Sequence, residues 1–210
     1  MSYTSFEDIS DVCEQFECKL IIQSFVKEKK IELNEYLLNK ILKHLIDPAN
    51  FSNETVICER IISPILLEIA EENELPLWSH QPFDVDKTRN LNGIPDYILA
   101  PRKEGLTKFT TPVVCLAEAK KDDFVASWGQ ASAEMIAAQI KNKSKEIPVF
   151  GLVSNGKSWE FGKLVKNTFT INSTPYAAPE NLQKILNVLN WMFCEARKNA
   201  DKLAETAKKN

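Results

Sequence analysis

Gly93-Ile94-Pro95-Asp96-Tyr97-Ile98-Leu99-Ala100, followed by Val113-Val114-Cys115-Leu116-Ala117-Glu118-Ala119-Lys120, gives two strand-like apolar runs with charged residues at their ends. Asp96 opens the first run; Glu118 and Lys120 close the second. The second run is almost wholly apolar, the pattern of a central strand covered on both faces. Side chains alternate along an extended chain, so Glu118 and Lys120 share one face and Ala119 takes the other. Charges that end so apolar a segment are costly to bury unless paired or used, which makes Asp96, Glu118 and Lys120 candidate functional residues.

Outward from this pair of strands, Leu77 to Val85 predicts one more strand, with a polar turn over 86–92. Leu33 to Ile46 has apolar residues near helical spacing and stops at Asp47-Pro48. A second helix is expected from about Asn53, with Ile57, Ile61, Ile65 and Ile69 along one stripe and Pro64 kinking it. Glu59 flanks that stripe on the side able to face the sheet, and taken alone it also reads as a surface carboxylate.

After the strands, a helix is expected over about Ala126–Lys141, then a core strand over 148–153. Asn155-Gly156 is a two-residue hairpin signal, and Trp159, Phe161 and Leu164 alternate after it as in a half-buried strand. A closing helix from about Pro179 presents Leu182, Ile185, Leu189, Met192 and Ala196 as its docking face. Lys19 to Val26 is a further expected strand. The order is that of an α/β sandwich, a mixed central sheet flanked by helices. Residues 1–50 form an accessory strand and helix region, 51–170 the core, and 171–210 a C-terminal helix with a frayed tail.

Composition bounds the function. No uncharged apolar run reaches the roughly 18 residues of a spanning helix, and the first residues lack the basic-then-apolar order of a secretion signal. A cytoplasmic location without membrane partners is the expectation. Five scattered cysteines suit reduced thiols, and two histidines without partners at ligand spacing argue against a Cys/His zinc site. The net charge is −3, yet residues 1–80 hold 15 acidic and 7 basic side chains, whereas 81–210 hold 14 and 19. The half with Asp96 and Glu118 is therefore the basic half, as approach to phosphates requires.

Asp96 and Glu118 are hard oxygen ligands suited to Mg²⁺, with Mn²⁺ able to substitute, and the Ala119 carbonyl between them is a candidate third ligand. Such an ion lowers the pKa of a bound water and offsets phosphate charge. A Lys120 ammonium beside it could orient or deprotonate the attacking water, or offset charge in the transition state. No organic cofactor is expected. Lys87, Arg89, Arg102, Lys103 and Lys121 are the side chains expected near DNA phosphates. Trp128 and Trp159 are open to base stacking or to core packing.

Pro95-Asp96 with Glu118-Ala119-Lys120 resembles the signature of the PD-(D/E)XK nuclease superfamily. Together with Glu59 to Leu67, the Gly93 to Tyr97 strand and Phe150 to Phe161, it is similar to the amino-terminal nuclease domain of type I restriction enzyme motor subunits, over roughly residues 53–165. The resemblance implies a restriction-endonuclease-like αβββαβ core and Mg²⁺-dependent endonuclease cleavage of DNA, in defence, repair or mobile-element biology. It also implies that Glu59 assists the metal and that Gln130 contacts the site or the DNA backbone. Where the related motif has Tyr four residues after the Gln, this chain has Glu134. The alternative is a catalytically silent nuclease-fold module that binds nucleic acid or a protein. The acidic first third is a candidate partner-binding or homodimer surface.

Overall fold

The computed structural model describes residues 2–103, 105, 107–119 and 123–209. Lys120 and Lys121 thus lie outside the described residues. Among these residues the chain forms six α-helices and a mixed open sheet of eight strands. The strands are β1 (Lys19–Ile22), β2 (Leu77–Ser79), β3 (Tyr97–Leu99), β4 (Cys115–Ala119), β5 (Val149–Ser154), β6 (Ser158–Val165), β7 (Thr168–Ile171) and β8 (Tyr176–Ala177). Their spatial order is β1-β7-β6-β5-β4-β3-β2, with β8 beside the start of β6. β4 runs parallel to β5 and β1 parallel to β7; the other pairs are antiparallel.

β4 and β5 are buried along their whole length, as their apolar sequences demand. One face of the sheet, with Tyr97, Leu99, Ala117, Leu152, Trp159 and Phe161, packs against the helices α2 (Glu35–Ile46), α4 (Ser63–Glu72) and α6 (Ala178–Lys209). The other, with Ile98, Leu116, Val149, Leu164 and Phe169, packs against α1 (Ile9–Phe16) and α5 (Phe124–Asn142). Trp159 is fully buried and Trp128 is 6% exposed, so both tryptophans are packing residues. The N-terminal stretch is joined to this same sheet: β1 extends it at the edge, pairing Lys19 with Thr168 through Ile22 with Ile171.

Local chemistry sets the helix ends. Asp8 and Asp11 form a reciprocal capping box on α1, and Asn34 caps α2 by accepting from the Tyr36 N–H. Asn53 caps α3 (Glu54–Ile57) through the Val56 N–H. The kink expected at Pro64 takes the form of a π-helical turn, Cys58–Ile62, immediately before α4. Pro64 has no N–H to close the preceding turn, and the wider turn absorbs the missing bond. The strand expected over Leu77–Val85 is shorter, ending at Ser79, because His80 takes a left-handed backbone at φ 50°.

α5 is buried from Ser127 to Gln139, between the sheet on one side and the N-terminal elements on the other. Gly129 permits that second contact: a Cβ there would stand 2.5 Å from the Phe6 carbonyl oxygen and 2.9 Å from the Asp8 nitrogen. Backbone atoms cannot swing aside as a side chain can. Gly129→Ala is expected to push residues 6–8 off α5 and lower unfolding stability by about 1–3 kcal/mol. Urea titration checks this, and an unchanged midpoint contradicts the packing.

Candidate active site

β3 and β4 are antiparallel, with Tyr97 opposite Ala117, so the residue before Tyr97 stands opposite the one after Ala117. That register sets Asp96 against Glu118. The contact is reciprocal: the Asp96 N–H donates to Glu118 Oε1 at 3.3 Å, and the Ala119 N–H donates to Asp96 Oδ2 at 2.8 Å. A strand residue turns its N–H and C=O to the same neighbouring strand, so the Ala119 carbonyl also faces the Asp96 side. The two carboxylates converge at the end of adjacent strands.

Glu118 points to the α5 face, between the inward-packed Ala117 and Ala119, and is 1% exposed. Gln130 on α5 donates from Nε2 to Glu118 Oε2 at 2.7 Å and to Glu134 Oε1 at 3.1 Å. One amide thus bridges two buried carboxyl groups, since residues four apart on a helix share a face. The sequence departure at Glu134 is part of the site: it places a second carboxyl against Glu118. Burial pushes the Glu118 carboxyl well above the usual carboxylate range, and the Glu134 and Asp96 charges push it the same way. The hydrogen bond from the Asp96 N–H opposes this.

Asp96 is the outward-facing member, with a side chain 22% exposed. Its carbonyl accepts from the His80 N–H at 3.0 Å, and its Oδ1 lies 3.7 Å from His80 Nε2. Tyr97 and Ser63 share a hydrogen bond at 2.7 Å, which ties the start of α4 to β3 beside Asp96. Burial pushes the Tyr97 hydroxyl far above its ordinary range, so it stays protonated and serves as a brace.

The donor set fits a hard divalent cation: two carboxylates and a main-chain carbonyl, all oxygen. Among the described residues no three acidic, histidine or cysteine side chains are gathered as a metal site. The protein's share of an ion's shell would be Asp96, Glu118 and the Ala119 carbonyl, with water supplying the rest, as Mg²⁺ tolerates.

Other expected residues lie elsewhere. Glu59 is exposed on the π-helical turn and lines a groove of about 520 Å³ with Lys40, His44 and Arg60, so the structure does not bring it to the carboxylate pair. Lys87 pairs with Asp84 at 3.1 Å, and Arg89 pairs with Asp86 at 2.7 Å while lying over the Phe16 ring. Hydrogen bonds from Thr88 and Arg89 hold the Asp86 carboxyl at about 2. These two cations are therefore already engaged by acids of their own loop. Arg102 and Lys103 follow the far end of β3 from Asp96, where Arg102 lines a groove with Glu74, Arg197 and Asp201.

His80 and Glu134 were not legible as site residues. His80 has no partner at sequence spacing, and only the β2–β3 pairing brings it to Asp96. The five cysteines are free thiols, and burial pushes the Cys115 thiol far up, which makes it inert. No described helix is long and apolar enough to cross a membrane. Comparisons with protein-family models, curated proteins and solved structures found no match.

Proposed function

We propose that this chain hydrolyses phosphodiester bonds in DNA, as a metal-dependent endonuclease with a restriction-endonuclease-like core. The observation that carries the reading is the convergence of the Asp96 and Glu118 carboxylates, locked together by the Asp96 and Ala119 N–H groups at the ends of two adjacent strands. The element order from Glu54 to Ser154 supports it: helix, three strands, helix, strand, matching the αβββαβ order of that core.

Asp96, Glu118 and the Ala119 carbonyl would hold Mg²⁺ or Mn²⁺. When bound, the ion supplies a water of lowered pKa and charge to offset the phosphate. The chain's own residues do the rest. Gln130 holds the Glu118 carboxylate in place against α5, and the Ala119 N–H orients Asp96. Lys120 follows Ala119 directly in the sequence, and its ammonium is assigned to orienting the attacking water and offsetting transition-state charge.

The test is incubation of purified protein with supercoiled, linear, branched and single-stranded DNA, in Mg²⁺, Mn²⁺ or chelator. Nicking that requires the cation supports the proposal; absence of nicking on every substrate overturns it. Lys120→Ala is expected to abolish nicking while leaving metal and DNA affinity within about threefold of wild type, because the assigned role belongs to the transition state. Equal loss of binding and cleavage contradicts that role. One observation favours a second reading, a module that binds DNA without cutting: Glu118 is closed from solvent, with both oxygens held by protein donors. DNA retention without nicking is its signature.

A further inference from the structure

We propose that His80 is a further catalytic residue, donating a hydrogen bond to the phosphate that is cut. The inference rests on the phosphodiesterase reading and adds a substrate contact to it. Glu118 is buried, with Gln130 and Glu134 closing it off on the α5 side, whereas Asp96 is partly open and the His80 side chain next to it is 62% exposed. A substrate that reaches these carboxylates through the opening at Asp96 passes the imidazole.

The ring is held there by the fold. The His80 N–H is bonded to the Asp96 carbonyl at 3.0 Å, and the ring lies edge-on to Tyr97 with centroids 6.2 Å apart. Its backbone sits at φ 50°, the left-handed turn that ends β2 and sets the direction of the side chain. Nε2 stands 3.7 Å from Asp96 Oδ1, too far for a good hydrogen bond and close enough that a third group meeting the carboxylate lies within reach of both. A non-bridging phosphate oxygen has no proton to give the Asp96 carboxylate, so on this side of the site it takes its hydrogen bond from the imidazole N–H. The cations expected to meet phosphate on the neighbouring loop, Lys87 and Arg89, are paired with Asp84 and Asp86.

The chain has two histidines, so one substitution assigns both imidazole resonances. Titrating the full-length protein with a short DNA duplex, in Ca²⁺ to slow turnover, is expected to move the His80 Cε1–H resonance and leave that of His44 in place. Asn tolerates a left-handed backbone, so His80→Asn keeps the fold while withdrawing the ring. It is expected to lower kcat/KM for nicking by about tenfold to a hundredfold, the worth of one hydrogen bond to a charged group. His80→Gln, with an N–H near the position of Nε2, is expected to recover part of that loss. In an active wild type, His80→Asn kinetics within about twofold overturn the proposal. If the wild type does not nick at all, the nuclease reading falls instead, and the duplex titration still decides the contact: an unmoved His80 resonance removes it.

Discussion

Asp96→Asn, assayed on supercoiled DNA with Mg²⁺, is expected to lose nicking by about a thousandfold or more while keeping its thermal stability within a few degrees. The scale is that of removing one preorganised charge from a water-poor site. The small structural cost follows from the contacts. Asn retains an oxygen for the Ala119 N–H, so the 2.8 Å bond that ties β3 to β4 survives, and the backbone bonds of Asp96 with His80 and Glu118 are untouched. What disappears is the negative charge at the open edge of the pair. Nicking assays beside a melting curve check both halves. A variant that cuts within about tenfold of wild type would remove Asp96 from the chemistry, and with it the assigned function.

Glu118→Gln separates stability from activity in the opposite way. The Glu118 carboxyl is raised in the folded protein by burial and by the Glu134 and Asp96 charges, whereas in the unfolded chain it titrates at its ordinary value near 4.5. At pH below that value both states hold the proton, and the full stability is present. As pH rises above it, the unfolded chain releases its proton first, so stability falls until the folded carboxyl has also ionised. Gln at this position carries no proton to lose. Its amide can donate to Glu134 and accept from the Asp96 N–H, provided the Gln130 side chain turns its amide over so that its oxygen, not its NH2, meets the new NH2.

The expected result in chelator is that Glu118→Gln melts higher than wild type at pH 7.5, and that the gap closes as the pH is lowered toward 4.5. Mg²⁺ is expected to raise the wild-type melting temperature at pH 7.5 and leave the variant unchanged, because a ligand stabilises only the state that binds it. Nicking is lost with the carboxylate. A variant less stable than wild type at every pH, with the same pH dependence, would mean that Glu118 is not the group whose ionisation strains the core.

Much of the architecture was readable in local patterns. The helix expected over Ala126–Lys141 is α5, Phe124–Asn142, and the Asn155-Gly156 turn does join β5 to β6. Pro64 announced the interruption of the helix that begins at Asn53, though not its π-helical form. β7 and β8 escaped notice because they are four and two residues long and exist through their pairing with β6. Glu59 shows the limit of a helical stripe: it identifies the apolar face, not which neighbour the flanking charge will meet. Here that neighbour is α2 rather than the carboxylate pair. Lys87 and Arg89 show a similar limit, since a count of cations does not reveal the Asp84 and Asp86 side chains that hold them.

The sequence by itself determined most of the helix segments, the buried central strand and the presence of Asp96 and Glu118 at strand ends. These are matters of period, turn chemistry and polarity within a few residues. Only the tertiary structure decided that the two carboxylates clasp each other, that Gln130 spans Glu118 and Glu134, and that His80 stands over Asp96. Those contacts depend on the register of β2, β3 and β4 and on the seating of α5 across them, and a one-residue slip in any strand would send the same side chains to the opposite face.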